Sequence, residues 1–172
     1  VGSEMCIRDS RYPGWCHQMQ VKVNGIPVSG AVKTDKGYWM IQRSWQPGDT
    51  VSCEMEMEPE RVYAHPMVRA DAGCVALRRG PIIYTFEGVD NGEDLQTLRI
   101  PREAKIEALP YQADLLEGIV ALRVTGCRKK AAVNPALYAE DAAPEEMVTL
   151  QAIPYYAWCN RGMTHMRVWM QE

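Results

Sequence analysis

Histidine is scarce: His17, His65 and His165 are the only three in 172 residues. None stands at triad or metal-ligand spacing, and the chain has no G-x-S-x-G, H-E-x-x-H or P-loop. It also lacks a C-x-x-C pair, and no cysteine lies near a histidine at ligand spacing. Basic charge is not in excess. The formal net charge is −3, which leaves nothing to neutralise phosphates and excludes nucleic acid as an expected partner. No apolar run approaches the ~18–20 residues that span a bilayer, so no membrane partner is expected. A charged-then-apolar signal pattern is missing from the opening residues. Helical periodicity is nearly absent too, and its best candidate, Ala113 to Glu117, is too short to matter.

What remains is enough for a core. Apolar residues make up 47% and charged residues 24%, the ordinary composition of a globular domain. A chain of this length buries roughly 70% of the surface its unfolded form exposes. The six cysteines are Cys6, Cys16, Cys53, Cys74, Cys127 and Cys159. An even count invites a disulfide framework, but a chain this rich in core residues does not require one. Cys53, Cys74 and Cys159 lie in apolar runs, where a free thiol acts as a small buried hydrophobe. Reduced, structural cysteines and a cytoplasmic location are the expectation.

The dominant pattern is alternation with a period of two, the mark of half-buried strands. In Thr50 to Met57, Val51, Cys53, Met55 and Met57 share one face, and Thr50, Ser52, Glu54 and Glu56 the other. Pro47-Gly48-Asp49 before it reads as a type II turn, and Asn24-Gly25 after Gln18 to Val23 as a tight hairpin. Further strands are predicted at Gly37 to Arg43, Cys74 to Leu77, Ile82 to Phe86, Leu95 to Ile100, Ile119 to Val124, Met147 to Tyr156 and His165 to Met170. Asp90-Asn91-Gly92 is another turn, and Lys129 to Glu146 a long excursion loop with room for one helical turn. The fold class is therefore all-β: an antiparallel β-sandwich, jelly-roll-like, in one or two units. Either residues 11–66 form a partial unit and 67–172 a second, or one sandwich runs over 11–172. Residues 1–10 (VGSEMCIRDS) show no period and no turn logic, and resemble translated sequencing-adapter read-through. They are set aside as non-native.

Chemistry is hard to find. Glycosidases work with two carboxylates about 5–10 Å apart, and Glu54 and Glu56 stand about 7 Å apart by strand rise. They lie on the polar face, where solvation explains them. Asp90 and Glu93 are explained by their turn. Trp39, Trp45, Trp158 and Trp169 could stack on sugars, but cores and domain interfaces use tryptophan more often. His65, before Pro66, is either a contact to a neighbouring domain or a loop histidine with a satisfied hydrogen bond. In Ala152 to Arg161 (AIPYYAWCNR), Asn160 and Arg161 follow an apolar strand and could pin backbone carbonyls. His65, Trp158, Asn160 and Arg161 are thus candidates for structural or interface roles. No catalytic, cofactor-binding or metal-binding residue is assigned.

Four ordered blocks resemble the carboxy-terminal region of glycoside hydrolase family 127, the bacterial β-L-arabinofuranosidases and their relatives. They are Arg11-Tyr12-Pro13-Gly14-Trp15, Gly37 to Asp49 (GYWMIQRSWQPGD), Ala64 to Glu87 followed by Asp90-Asn91, and Ala152 to Trp169 with AIPYYAWCNRG and MRVW. The first departs from the family's R-I-P-x-W at Tyr12. The resemblance implies an upstream (α/α) barrel that holds a zinc-bound cysteine nucleophile and a glutamate acid/base, followed by β-sandwich domains. None of those catalytic motifs is present, and Cys159 lies outside the family's cysteine-ligand motif. The resemblance therefore implies a non-catalytic fragment, truncated at its amino terminus, that supports a barrel and holds no cofactor itself. Zinc is expected in the barrel, arabinose-containing glycans are the parent's expected substrates, and a homo-oligomer is a further possible assembly. The alternative is a stand-alone carbohydrate-binding or oligomerisation module.

Overall fold

The computed structural model describes residues 5–28, 32–34, 36–130, 138 and 140–172. Part of the excursion loop thus lies outside the described residues. The chain divides into two compact units, Val1–Met57 and Glu58–Glu172.

The described residues of the first unit form six strands: β1 (Met5–Arg11), β2 (Met19–Val23), β3 (Ile26–Pro27), β4 (Val32–Lys33), β5 (Tyr38–Ser44) and β6 (Val51–Met55). They form two three-stranded antiparallel sheets, ordered β1-β5-β4 and β3-β2-β6. Val21 and Val23 on β2 and Ile41 on β5 bring the two sheets onto one small core, flanked by Trp39, Trp45 and Cys53. Both turns form as their residues dictate. Asn24 and Gly25 take φ of 51° and 79°, which matches the twist of the β2–β3 hairpin. At Gly48 φ is 91°, and Asp49 N–H donates to the Gln46 carbonyl at 3.1 Å, as a type II turn requires.

Met5–Arg11, which overlaps the segment set aside at the start, pairs in register with all of β5. Strand pairing joins main-chain groups, so it needs no side-chain period. One expectation is corrected in this unit. The apolar face of β6 is less covered than its alternation suggested: Val51 and Met55 are exposed, and only Cys53 reaches the core.

The second unit is larger. Its strands are β7 (Pro59–Val62), β8 (Cys74–Arg79), β9 (Ile82–Glu87), β10 (Leu98–Arg99), β11 (Ile106–Ala108), β12 (Leu122–Lys129), β13 (Glu145–Pro154), β14 (Met166–Arg167) and β15 (Met170–Gln171), with one helical turn, α1 (Gly88–Asn91). The order is β14-β9-β13-β12-β10-β15-β8-β7, β11 adds to β12, and β8 also pairs with β9. That last pairing closes the path on itself, which removes most of the free edges an open sandwich leaves. Among the described strands, all pairs are antiparallel except β10 with β15. Alternate residues of β8, β9, β12 and β13, among them Val75, Leu77, Tyr84, Phe86, Leu122, Val124, Leu150 and Ala152, fill the core. Tyr84 is fully buried and donates its hydroxyl to the Val120 carbonyl at 2.8 Å. Burial raises its pKa above the ordinary phenol value.

Local differences have local causes. Leu95–Thr97 is a 3₁₀ turn, and only Leu98 and Arg99 are strand. The Asp90-Asn91-Gly92 turn completes a helical turn that Gly92 ends at φ 82°. Ala113 to Glu117 forms turns rather than helix, with Leu116 and Glu117 at positive φ. Pro59–Val62 is an edge strand, where the N–H that Pro59 lacks costs nothing.

Candidate functional site

The AIPYYAWCNRG block builds the most organised polar site of the second unit. β13 runs antiparallel to β9, with Ala152 opposite Phe86 and Pro154 opposite Tyr84. Past Pro154 the chain leaves the sheet through a 3₁₀ turn, Tyr155–Ala157. It then reverses at Cys159, whose φ is 65°. This returns Arg161 to the carboxyl end of β9.

There Glu87, only 1% exposed, meets it. Arg161 Nη2 donates to Glu87 Oε2 at 2.6 Å, and Nη1 to Asp90 Oδ1 at 2.8 Å. A further ion pair joins Nη2 to Asp90 Oδ2. The second oxygen of Glu87 accepts the Cys159 N–H at 2.7 Å. Asn91, also buried, donates to the Glu87 and Gln151 carbonyls at 2.9 and 2.8 Å and accepts the Gln151 N–H at 2.8 Å. The cluster therefore ties β9, α1, β13 and the 158–161 turn together. Hydrogen bonds to Asp90, and then to Glu87, hold the guanidinium pKa above its ordinary value against the opposing effect of burial.

The other sequence candidates are placed differently. Asn160 donates to the Ala157 carbonyl at 3.1 Å, so it closes its own turn. Trp158, on that turn, is 36% exposed. His65 sits apart in the β7–β8 connection, exposed, with Nδ1 accepting the Met67 N–H at 3.2 Å. Cys159 departs from the reading of a buried strand cysteine: it is exposed and at the reversal point. Cys16, Cys53, Cys74 and Cys127 are free thiols as well. Sequence reasoning reached Arg161 but missed Glu87, Asp90 and Asn91, which it gave to a strand end and a turn. Their appearance together at the end of one matching block was the available signal.

This arrangement holds shape, with both of its carboxylates, Glu87 and Asp90, committed to Arg161. Glu54 is paired with Lys22 at 2.6 Å. Among the described residues, no group of three or more His, Cys, Asp or Glu could hold a metal ion.

Residues 59–171 match the family model described as the glycoside hydrolase family 127 C-terminal domain. The chain belongs to glycoside hydrolase family 127. Residues 4–57 match a second family-127 model, the β-L-arabinofuranosidase middle domain. The family-127 chain is 36% identical over 170 residues to a non-reducing end β-L-arabinofuranosidase of Bifidobacterium longum subsp. longum, covering 94% of this chain and 25% of that protein. The crystal structure of a GH127 β-L-arabinofuranosidase from Geobacillus stearothermophilus T6 superposes with a TM-score of 0.90 at 45% identity, over 98% of this chain and 27% of that one. A GH127 β-arabinofuranosidase structure gives 0.81 at 31% identity, over 99% and 28%. This chain thus spans about a quarter of the length of these family-127 relatives.

Proposed function

We propose that this chain is the non-catalytic β-sandwich region of a retaining β-L-arabinofuranosidase-like glycosidase, and that it packs on and supports an (α/α) barrel that does the chemistry. One observation carries the reading. The family's most specific block here builds a cluster whose carboxylates are engaged by Arg161 and the Cys159 N–H. A working acid/base pair needs one carboxyl group able to give up a proton and another open to the sugar. Glu87 and Asp90 are both held by Arg161, so neither is open to a sugar. In this reading zinc belongs to the barrel, and arabinose-containing glycans are substrates of the parent.

The test removes residues 58–172 from the complete parent enzyme. The expected outcome is a barrel of lower Tm and reduced soluble yield, while the 172-residue chain releases no sugar from a synthetic arabinofuranoside. Hydrolysis by the chain alone, well above blank, would overturn the proposal. So would a barrel indifferent to the deletion.

A further inference from the structure

The turn that carries Arg161 inward also presents an apolar surface outward. Met163 is 99% exposed, Tyr156 65% and Trp158 36%. Trp158 and Met163 line an open hollow of about 390 Å³ with Glu93 and His165 at its margin. Tyr156 and Leu116 line a second, of about 480 Å³, with Glu117 beside it.

This surface is built rather than incidental. Among the described residues of Glu58–Glu172, three non-glycine residues take positive φ: Leu116 at 50°, Glu117 at 62° and Cys159 at 65°. All three line one or other hollow. Backbone in that region persists where surrounding structure imposes it, and it concentrates at functional surfaces. The Arg161–Glu87–Asp90 cluster is what imposes it at Cys159, through the Cys159 N–H bond to Glu87.

We propose that this face is the docking surface for the catalytic part of the parent enzyme, which would seat aliphatic side chains in the Trp158–Met163 hollow and turn basic groups toward Glu93 and Glu117. This rests on the supporting role proposed above and adds its location. The occupant follows from three observations. The relatives extend about three-quarters of their length beyond what this chain matches, and under the supporting role proposed above a partner of sufficient size lies on the same polypeptide. Methionine and aromatic side chains around open hollows suit a protein surface, whereas a sugar needs several polar groups converging in an enclosed pocket. A second copy related by a two-fold axis would bring the Glu93 and Glu117 rim against itself, because Arg161 is committed inward.

Methionine oxidation in the complete enzyme tests the location without a mutation. With dilute hydrogen peroxide, Met163 is expected to oxidise about tenfold more slowly than in the urea-unfolded enzyme, since a packed interface excludes water. Met163 oxidising as fast as in the unfolded chain would overturn the proposal. Protection that vanishes on dilution to the monomer would also overturn it, in favour of a second copy. Protection that requires added arabino-oligosaccharide would do so in favour of a glycan. As a second reading, Met163→Glu and Tyr156→Glu are expected to lower the Tm of the complete enzyme and Met147→Glu to leave it unchanged. Equal effects from all three would count against the face. The two proposals fail separately: if deleting residues 58–172 harms the barrel but Met163 is unprotected, the location is wrong and the supporting role stands.

Discussion

Arg161 reaches across 74 residues of sequence to hold Glu87 at 2.6 Å, where the carboxylate has lost almost all contact with water. Removing the cation leaves a buried charge without compensation. Arg161→Ala is expected to cost about 3 kcal/mol of stability, at the lower end of the usual range for breaking a buried pair because Arg161 keeps some exposure. Arg161→Lys should recover only part of this, since an ammonium cannot reproduce the two-pronged contact with Asp90. Urea unfolding of this region measures both. A cost under half a kilocalorie for Arg161→Ala would contradict the argument.

The two units should differ in self-sufficiency. In Val1–Met57 the described buried apolar residues are Cys16, Val21, Val23 and Ile41, whereas Glu58–Glu172 has a continuous core from Val75 to Met170. Small domains bury too little surface to offset chain entropy easily. Residues 58–172 expressed alone are expected to unfold cooperatively, and residues 1–57 alone to show no cooperative transition. Denaturation followed by tryptophan fluorescence checks the pair, because each unit has its own tryptophans.

Gly126 lies in β12 where a side chain does not fit. A Cβ there would stand 2.4 Å from Leu150 Cδ1 and 3.0 Å from the Arg99 carbonyl oxygen. Gly126→Ala is expected to destabilise by about 1–3 kcal/mol through overpacking. Leu150→Val in the same chain should relieve part of that, a coupling visible in a double-mutant cycle.

Acid should loosen the end of the second unit. Glu172 accepts from the Tyr63 hydroxyl at 2.7 Å and from Arg102 at 2.6 Å. These bonds, Tyr63 first, hold its carboxyl below the usual carboxylate range. A lowered folded pKa contributes stability above the unfolded value, near 4.3, and that contribution is lost as pH falls through the folded value. The difference in stability between the parent and Glu172→Gln should therefore be constant from pH 6 to about pH 5, and shrink below about pH 4. A difference that does not change with pH would show that the ionised carboxylate contributes nothing.

Much of this protein was legible in one dimension. Alternation in Thr50 to Met57 and the Asn24-Gly25 and Pro47-Gly48 turns depend on neighbours two to four residues apart, and they form as local rules require. The functional candidates were half legible. Arg161 and Trp158 stood out by residue type, but the meaning of Arg161 depends on Glu87 and Asp90, which look like a strand end and a turn until the chain folds.

Local periodicity by itself determined the all-β class, the main hairpins and the absence of familiar catalytic motifs, because those follow from side-chain spacing and backbone preference. Tertiary structure decided which carboxylates lose water, which thiol faces solvent and where the apolar surface opens. Burial and ion pairing are set by residues brought together from β9, α1, β13 and the turn after it, and no short stretch of sequence contains that information.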